Sequence, residues 1–320
     1  MKTNRIFFLC LSVMAMMLTS CRHKDLCYDH SHRSSVRVVF DWEEAPDANP
    51  TSMLSYFFPE YDGEPMIYTF AGREGGNISI PFGNYNSITI SGDNTDWATL
   101  LNTANPLGFK VITKDAERLE GYGLSVSVLP RARGSEAERV ALVPGIMWHD
   151  HLEEIDIPVE LTGEKVITYR PHEIVSHYTV DVINVKNLEN LRGSQIDGTI
   201  SGMAEGYYPR KETSSDESVT FPFVLKSVTD NKSLHSEFLT FGECPNQRLN
   251  HNVTIYVLLN DGTKWFKTFD VTDQVRNAPD PRNVHIVIDG LELPKPIANG
   301  GGGFKPEVND WNDIEIYIKM

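Results

Sequence analysis

The stretch Val253-Thr254-Ile255-Tyr256-Val257-Leu258-Leu259-Asn260-Asp261-Gly262 decides what kind of fold this chain adopts. Every second residue over 253–259 is aliphatic, and such period-two alternation places one row of side chains in a core. Asn260-Asp261-Gly262 supplies the residues of a tight turn, and the aromatic-rich residues 265–269 follow it. The stretch therefore predicts a β-hairpin.

The same alternation recurs along most of the chain. The further alternating segments are residues 36–42, 78–80, 88–90, 124–128, 178–182, 219–225, 284–288 and 314–318. Turn residues such as Tyr61-Asp62-Gly63 and Gly75-Gly76 separate them. The pattern predicts an all-β protein, with antiparallel sheets in two sandwich-like domains in tandem.

Two local features modify this pattern. Residues 96–102 predict one short helix, with Asp96 or Thr95 as its N-cap. Pro222 lies inside the predicted strand at 219–225. Because proline has no N–H to donate, we expect that strand at the edge of a sheet.

The alternation is interrupted near Gly163 and Pro171, which predicts a domain boundary. We expect an N-terminal β-sandwich over residues 36–168 and a C-terminal β-sandwich over residues 169–320. Ile314, Ile316 and Ile318 give the last predicted strand an apolar face. We expect that face to be buried in the chain's own second domain.

The N-terminus has the features of a bacterial lipoprotein signal. Lys2 and Arg5 precede an apolar run over residues 6–18, which is shorter than the roughly 20 residues of a membrane-spanning helix. Leu18-Thr19-Ser20-Cys21 ends the run with small residues and a thiol that can carry a lipid such as palmitate. We expect residues 1–20 to be a signal peptide and lipidated Cys21 to hold the mature chain on a membrane. The alternative is an ordinary signal peptide that leaves Cys21 as a free thiol.

Residues 21–35 are polar and predict a tether between the lipid and the first domain. The tether contains His23, Cys27, His30 and His32 but no apolar scaffold, so we expect a solvated linker rather than a metal site. Cys27 and Cys244 could form a disulfide outside the cytoplasm, but two thiols so far apart in sequence equally allow unpaired cysteines.

Composition and motifs exclude several classes of function. The chain has 29 basic and 44 acidic residues and a formal net charge of −15, which repels nucleic acid. It has no Gly-rich phosphate loop, no Gly-x-Ser-x-Gly elbow and no His-Glu-x-x-His helix. Adjacent carboxylates such as Glu43-Glu44 point to opposite faces of a strand. We expect no catalytic residues, no cofactor and no enzyme activity.

One polar stretch, Trp148-His149-Asp150-His151-Leu152-Glu153-Glu154, contains potential metal ligands. In an extended segment His149 and His151 project to one side, and Glu153 follows on that side. His149 and His151 are therefore candidate ligands of a divalent metal. Because the sequence shows no carboxylate pattern that would orient the two imidazoles, we expect no metal site.

Several blocks of sequence resemble a known family. They are the Leu18–Cys21 signal, Tyr68-Thr69-Phe70-Ala71-Gly72-Arg73-Glu74-Gly75-Gly76, Pro81-Phe82-Gly83-Asn84-Tyr85, and the C-terminal Gly302-Gly303-Phe304 with Trp311-Asn312-Asp313. With the early strand at 36–42, these blocks resemble the FimB-type fimbrial anchors and fimbrillin-related lipoproteins of the Bacteroidota.

The resemblance implies two transthyretin-like β-sandwich domains, held at the outer membrane by the lipid on Cys21 and exposed at the cell surface. It implies a structural role in cell adhesion, as the anchor or an accessory subunit of a fimbrium. The partners it implies are fimbrial subunits that join by β-strand addition. We identify no arginine placed to release a leader strand, because Arg131 and Arg133 lie within the first domain and Arg33 precedes the first strand. An anchor is thus favoured over a polymerising pilin.

A second class of function is a surface lipoprotein that binds glycans or another ligand. In that case exposed aromatic residues such as Trp148, Tyr207 and Tyr208 would stack on sugar rings. The anchor is the leading interpretation of the sequence, and the ligand-binding lipoprotein is the alternative.

Overall fold

The computed structural model describes residues 33–61, 63–93, 96–159, 164–228, 232–246 and 250–295. The predicted signal peptide, Cys21, Cys27 and the predicted strand at 314–318 lie outside these residues. In the described part of the chain, no helix is both long and apolar enough to cross a membrane.

The all-β prediction is confirmed, because strands form almost all of the regular structure. Helical structure among the described residues is confined to a few single turns. These are the α-helix α1 (Thr272–Arg276) and the 3₁₀-helices η1 (Val126–Val128), η2 (Leu188–Asn190) and η3 (Pro209–Lys211).

Two sheets form a sandwich from the first half of the chain and a few residues beyond. Sheet A contains β1 (Arg33–Phe40), β4 (Gly76–Pro81) and β10 (Lys165–Tyr169), in the order β10-β1-β4. Sheet B contains β2 (Ser52–Pro59), β3 (Met66–Ala71), β5 (Gly83–Ser91), β9 (Trp148–Ile157) and β11 (His172–Glu173), in the order β11-β9-β5-β2-β3. All pairs are antiparallel except β1 with β10.

The first core lies between sheets A and B. Val36 and Val38 of β1 and Met53 and Phe57 of β2 are among its members, and each is at most 1% exposed. Strand β1 begins at Arg33, because Ser34 and Ser35 already pair with β4. The first strand therefore includes the last three residues of the predicted tether.

Sheet C is formed mainly by the second half of the chain. Its strands are β8 (Arg139–Val140), β12 (Ser176–Ile183), β13 (Gln195–Ala204), β16 (Ser218–Ser227), β17 (Leu234–Thr240), β18 (Asn252–Leu258), β19 (Lys264–Asp270) and β20 (Asn283–Asp289). The order is β19-β18-β13-β16-β17-β12-β20, and β8 pairs with β16. Trp265 of β19 and Ile286 of β20 lie at opposite ends of this order but belong to the same core cluster. The sheet thus folds back on itself around a second core.

The hairpin predicted from residues 253–269 is confirmed. Strands β18 and β19 pair over seven residues each, from Asn252 with Asp270 to Leu258 with Lys264. At the turn, Gly262 has a φ of 89°, a value that residues with a side chain rarely adopt. The Asp261 carboxylate accepts a hydrogen bond from the Thr263 N–H at 2.8 Å.

A fourth sheet joins the two halves of the sequence. Sheet D contains β6 (Ala98–Leu101), β7 (Lys110–Thr113), β14 (Gly206–Tyr208) and β15 (Thr213–Ser214), in the order β15-β14-β7-β6. A third core lies between sheet D and the face of sheet B that points away from sheet A. It consists of Tyr56, Phe58, Ile88, Ile90, Ala98, Phe109, Val111, Met147, Ile174, Val175, Ala204, Tyr207 and Phe241. Residues from both sides of the predicted boundary at 168 thus share a sheet and a core.

Three local predictions were wrong. The helix predicted at 96–102 is strand β6, whose residues Ala98–Leu101 pair with β7. Pairing and burial against the third core here override a weak local preference for helix. The strand predicted at 124–128 is interrupted by η1, which has no partner strand among the described residues, and Val128 is 60% exposed.

The third wrong prediction concerns Pro222, whose strand β16 lies inside sheet C rather than at its edge. On one side of β16, Thr220 pairs with β8 and Lys226 pairs with β17. Between these two positions the described residues provide no partner on that side. The proline is accommodated because its missing N–H falls in this gap.

Candidate functional site

The histidine stretch lies in strand β9, which β5 and β11 flank. His149 pairs with Ile90 of β5 on one side and with His172 of β11 on the other. Directly paired residues of neighbouring strands share a face of the sheet. Because Ile90 belongs to the third core, His149 and His172 both face the region between sheets B and D.

His149 is fully buried, with 0% of its surface exposed. Neither of its ring nitrogens has a hydrogen-bond partner among the described residues. Its ring lies 4.7 Å from the ring of His172 and 5.6 Å from the ring of Tyr207, between ring centroids. Burial lowers the pKa of His149 well below its ordinary value, and the nearby His172 and His151 lower it further. The imidazole is therefore neutral, with a lone pair available on one nitrogen.

Glu212 approaches the two histidines from sheet D. It follows η3, and its φ of 51° is left-handed, a conformation that few residues other than glycine adopt. One ligand atom from each of His149, His172 and Glu212 lies within 4.8 Å of the other two. His151 lies beside this group, with its Nδ1 atom 3.5 Å from the Glu212 Oε1 atom.

An open cavity of about 870 Å³ adjoins the cluster. His172 and Glu212 line it, together with Asp150, Arg170 and Arg282. Burial raises the pKa of the Asp150 carboxyl. The hydrogen bonds that this carboxylate accepts from the backbone N–H groups of Arg170 and His151 lower the pKa, but burial has the larger effect. The cluster thus has a solvent-accessible side that carries charges of both signs.

Glu153 lies on the predicted side of β9, but it does not join the cluster. Opposite Asn86 of β5, strand β9 places two residues, Glu153 and Glu154, so the strand contains a β-bulge. Glu154 has a φ of 54° there. The bulge interrupts the period-two alternation at Glu153 and Glu154, and the Glu153 carboxylate pairs with Arg210 of η3 at 2.8 Å.

Sequence reasoning identified His149 and His151 but missed His172 and Glu212. His172 follows Pro171 at the predicted domain boundary, and its position opposite His149 depends on the register of β9 and β11. Glu212 belongs to a loop 40 residues further along the chain. No spacing in the sequence signals either position.

The aromatic residues considered for sugar stacking are not an exposed platform. Tyr207 is buried in the third core, and Trp148 packs against Trp42 with ring centroids 6.2 Å apart. The ring of Tyr208 lies 4.5 Å from the ammonium nitrogen of Lys211. Each of the three rings therefore has a contact within the chain, and Trp148 and Tyr208 are partly buried.

Cys244 is buried, and its thiol donates a hydrogen bond to the carbonyl oxygen of Asp216 at 3.1 Å. Burial raises the pKa of this thiol. Because Cys27 lies outside the described residues, the disulfide alternative stays a prediction.

Strand β3 forms one edge of sheet B. The Gly72 N–H donates a hydrogen bond to the Thr51 carbonyl oxygen, and hydrogen-bonded residues alternate along an antiparallel pair. The backbone N–H and C=O groups of Met66, Tyr68 and Phe70 therefore point toward β2. The N–H and C=O groups of Ile67, Thr69 and Ala71 therefore point away from the sheet. No described residue hydrogen-bonds to them, and the side chain of Ile67 is 54% exposed.

Sheets packed around apolar cores define the class of this protein as an all-β sandwich protein. The chain belongs to the DUF5119 family, a domain of unknown function, whose family model matches residues 20–224. The family resemblance inferred from the sequence is confirmed by a curated relative. It is the "Putative fimbrium anchoring subunit Fim4B" of Bacteroides ovatus, 21% identical over an alignment that covers 99% of this chain and 100% of the relative.

A solved structure has the same fold. A crystal structure of a "putative adhesin" from Bacteroides ovatus ATCC 8483 superposes with a TM-score of 0.66 at 19% identity. The superposition covers 88% of this chain and 99% of that one. The fimbrial anchor protein Mfa2 from Porphyromonas gingivalis gives a TM-score of 0.47 at 15% identity, covering 79% of this chain and 90% of that one.

Proposed function

We propose that this protein is a structural subunit of a cell-surface fimbrium that serves as its anchor on the outer membrane. The observation that carries the proposal is the end-to-end alignment with the fimbrium anchoring subunit of Bacteroides ovatus, which leaves almost no part of either chain unmatched. The shared fold of the Bacteroides ovatus adhesin structure supports it. The protein has no enzymatic role in this proposal.

Lipid on Cys21 would supply the attachment to the membrane, since acyl chains bury many methylene groups in the bilayer. Residues 22–32 would then connect the lipid to β1. Most of residues 36–168 would belong to one transthyretin-like half, and most of residues 169–320 to the other. One end of the protein would thus be fixed at the membrane, and the rest of its surface would be accessible to other subunits.

We further propose that a fimbrial subunit joins through strand β3. The outward backbone groups of Ile67, Thr69 and Ala71 can pair with an added strand. Residues 66–71 contain no proline and no charged side chain, which are the usual means of protecting a sheet edge. The glycan-binding alternative has no comparable support, because its three aromatic residues pack within the chain.

Cross-linking on intact cells, followed by purification of this protein, tests both proposals. We expect a ladder of fimbrial subunits with the wild type and with Thr69→Ala, which keeps the backbone N–H. Thr69→Pro removes that N–H and should abolish the ladder. Equal melting temperatures of the two variants would show that the fold is intact.

The outcomes separate the two proposals. A ladder that persists in Thr69→Pro would exclude strand β3 as the contact but leave the anchoring role. The absence of fimbrial subunits from the wild-type sample would contradict the anchoring role itself.

A further inference from the structure

We propose that His149, His172 and Glu212 form a binding site for a divalent transition-metal ion of the zinc type. The site does not depend on the fimbrial role. It arises where sheet B meets sheet D, and it combines a strand-paired histidine couple with a carboxylate from a distant loop.

The buried imidazole of His149 is the first argument. Polar groups that are fully buried in a folded protein nearly always have a hydrogen-bond partner. His149 is 0% exposed, and in the part of the chain that the structure describes both of its ring nitrogens lack a hydrogen-bond partner. A metal ion at the cluster would satisfy one of these nitrogens and so account for a buried polar group that is otherwise costly.

The chemistry of the three ligands is the second argument. Neutral imidazole nitrogens and a carboxylate oxygen suit Zn²⁺, Cu²⁺ and Ni²⁺, whereas Mg²⁺ and Ca²⁺ prefer oxygen ligands alone. Ligand atoms that share one tetrahedral zinc ion lie about 3.4 Å apart, given bonds of about 2.1 Å. In this structure the three atoms lie within 4.8 Å of one another, so small side-chain rotations bring them to that distance.

The third argument concerns the residues around the three ligands and the cavity beside them. His151 lies beside the cluster, with 3.5 Å between its Nδ1 atom and the Glu212 Oε1 atom. The fourth position faces the open cavity, where a water molecule can bind. Arg170 and Arg282 also line this cavity and oppose a cation. The carboxylates of Glu44, Asp150 and Glu173 line the same cavity and offset the charge of the two arginines.

The consequence is a crosslink between elements that are far apart in sequence. His149 belongs to β9 and His172 to β11, both in sheet B, whereas Glu212 follows strand β14 of sheet D. A bound ion would tie the edge of sheet B to the loop of sheet D. Because an ion that binds only the folded chain stabilises it, metal should raise the melting temperature.

Titration of the full mature chain, with any affinity tag removed and after treatment with a chelator, tests the proposal. We expect one equivalent of Zn²⁺ to bind and to raise the melting temperature, and Mg²⁺ to do neither. Glu212→Gln, which preserves the size of the side chain, and His172→Ala should each weaken Zn²⁺ binding by more than about tenfold. Both positions are partly or fully exposed, so the fold should persist in both variants.

The matched control is His235→Ala. His235 and His285 both hydrogen-bond the Asp181 carboxylate, at 2.7 Å each, and form the competing histidine cluster on sheet C. The control should bind Zn²⁺ like the wild type. Absence of Zn²⁺ binding by the wild type, binding that both Glu212→Gln and His172→Ala retain in full, or loss of binding in His235→Ala would overturn the proposal.

Discussion

At the scale of single residues, two histidines respond to acid in opposite directions. His251 is 1% exposed, and this burial lowers the pKa of its imidazole. The nearby Glu243 carboxylate raises that pKa and the Arg276 guanidinium lowers it, but burial is the largest effect. The hydrogen bond with the Asp181 carboxylate raises the pKa of His235. Protonation of His251 therefore favours the unfolded chain, and protonation of His235 favours the folded one.

We predict that this opposition is visible in the pH dependence of stability. Between the ordinary histidine pKa of 6.5 and the lower folded pKa of His251, the unfolded chain binds the extra proton, so the free energy of unfolding decreases as pH falls. His251→Gln should make the fall in melting temperature between pH 7 and pH 5.5 shallower. His235→Ala should make it steeper, because His235 stabilises the folded state at low pH. Identical pH profiles for all three proteins would show that neither shift is present.

Only some residues of the histidine cluster could be predicted from the sequence. His149 and His151 could be singled out because i and i+2 in a strand share a face. The sequence could not reveal that His149 is buried, because its neighbours on both sides are set by strand pairing. Glu153 lies on the predicted side of β9 but pairs with Arg210, and the bulge that sets its position has no reliable signal in a single sequence.

At the scale of elements, the turn between β3 and β4 contains two glycines with different roles. Gly72 has a φ of 65°, and a Cβ atom there would meet nothing within 4 Å. Gly75 has a φ of 81°, and a Cβ atom there would overlap the carbonyl oxygen of Val38 in β1. The second glycine therefore allows β4 to approach the central strand of sheet A.

We predict that Gly72→Ala destabilises the protein by about 1 kcal/mol, the cost of a left-handed backbone in a residue with a side chain. Gly75→Ala should cost more than about 2 kcal/mol, because it adds a backbone clash to that strain. Chemical denaturation of the two variants and the wild type measures the difference. Equal losses of stability would contradict the close approach of β4 to Val38.

Strands with long alternating patterns were predictable, and short irregular elements were not. Residues 253–269 combine an alternating apolar row with a specific turn, so local and tertiary preferences agree. Residues 98–101 form a strand only because β7 lies beside them, and β7 itself pairs with β14, almost 100 residues further on. Such long-range pairing cannot be derived from the local sequence.

At the scale of the whole molecule, the third core joins the two halves of the chain. Phe109 is fully buried in it and contacts Tyr56 of sheet B, with ring centroids 5.1 Å apart. Sheet D combines β6 and β7 of the first half with β14 and β15 of the second. The two halves therefore depend on each other for burial of apolar surface.

We predict a single cooperative unfolding transition for the whole chain. Phe109→Ala should shift that transition by about 3 to 5 kcal/mol, because it leaves a cavity in the shared core. Tryptophan fluorescence and far-UV circular dichroism should report the same midpoint. Two separate transitions, with only one of them shifted by the substitution, would show instead that the halves fold independently.

The sequence allowed only part of the domain organisation to be predicted. The two runs of strands could be recognised, and the domain boundary proposed at residue 168 follows from the interruption between them. The pairing of residues 98–113 with residues 206–214 in sheet D could not be recognised, because these two segments share no sequence motif.

Retention of fimbriae on cells tests the proposed anchoring role most directly. Cells in which Cys21→Ser replaces the wild-type protein should release their fimbriae into the medium, because this one side chain would carry the entire membrane attachment. Cys27→Ser is the matched control, since it changes a cysteine of the same segment and should leave the fimbriae on the cells. The measurement is the cell-bound fraction of fimbriae, together with fatty-acid labelling of this protein. Fimbriae that stay on Cys21→Ser cells, with the protein still labelled and membrane-bound, would contradict the anchoring role.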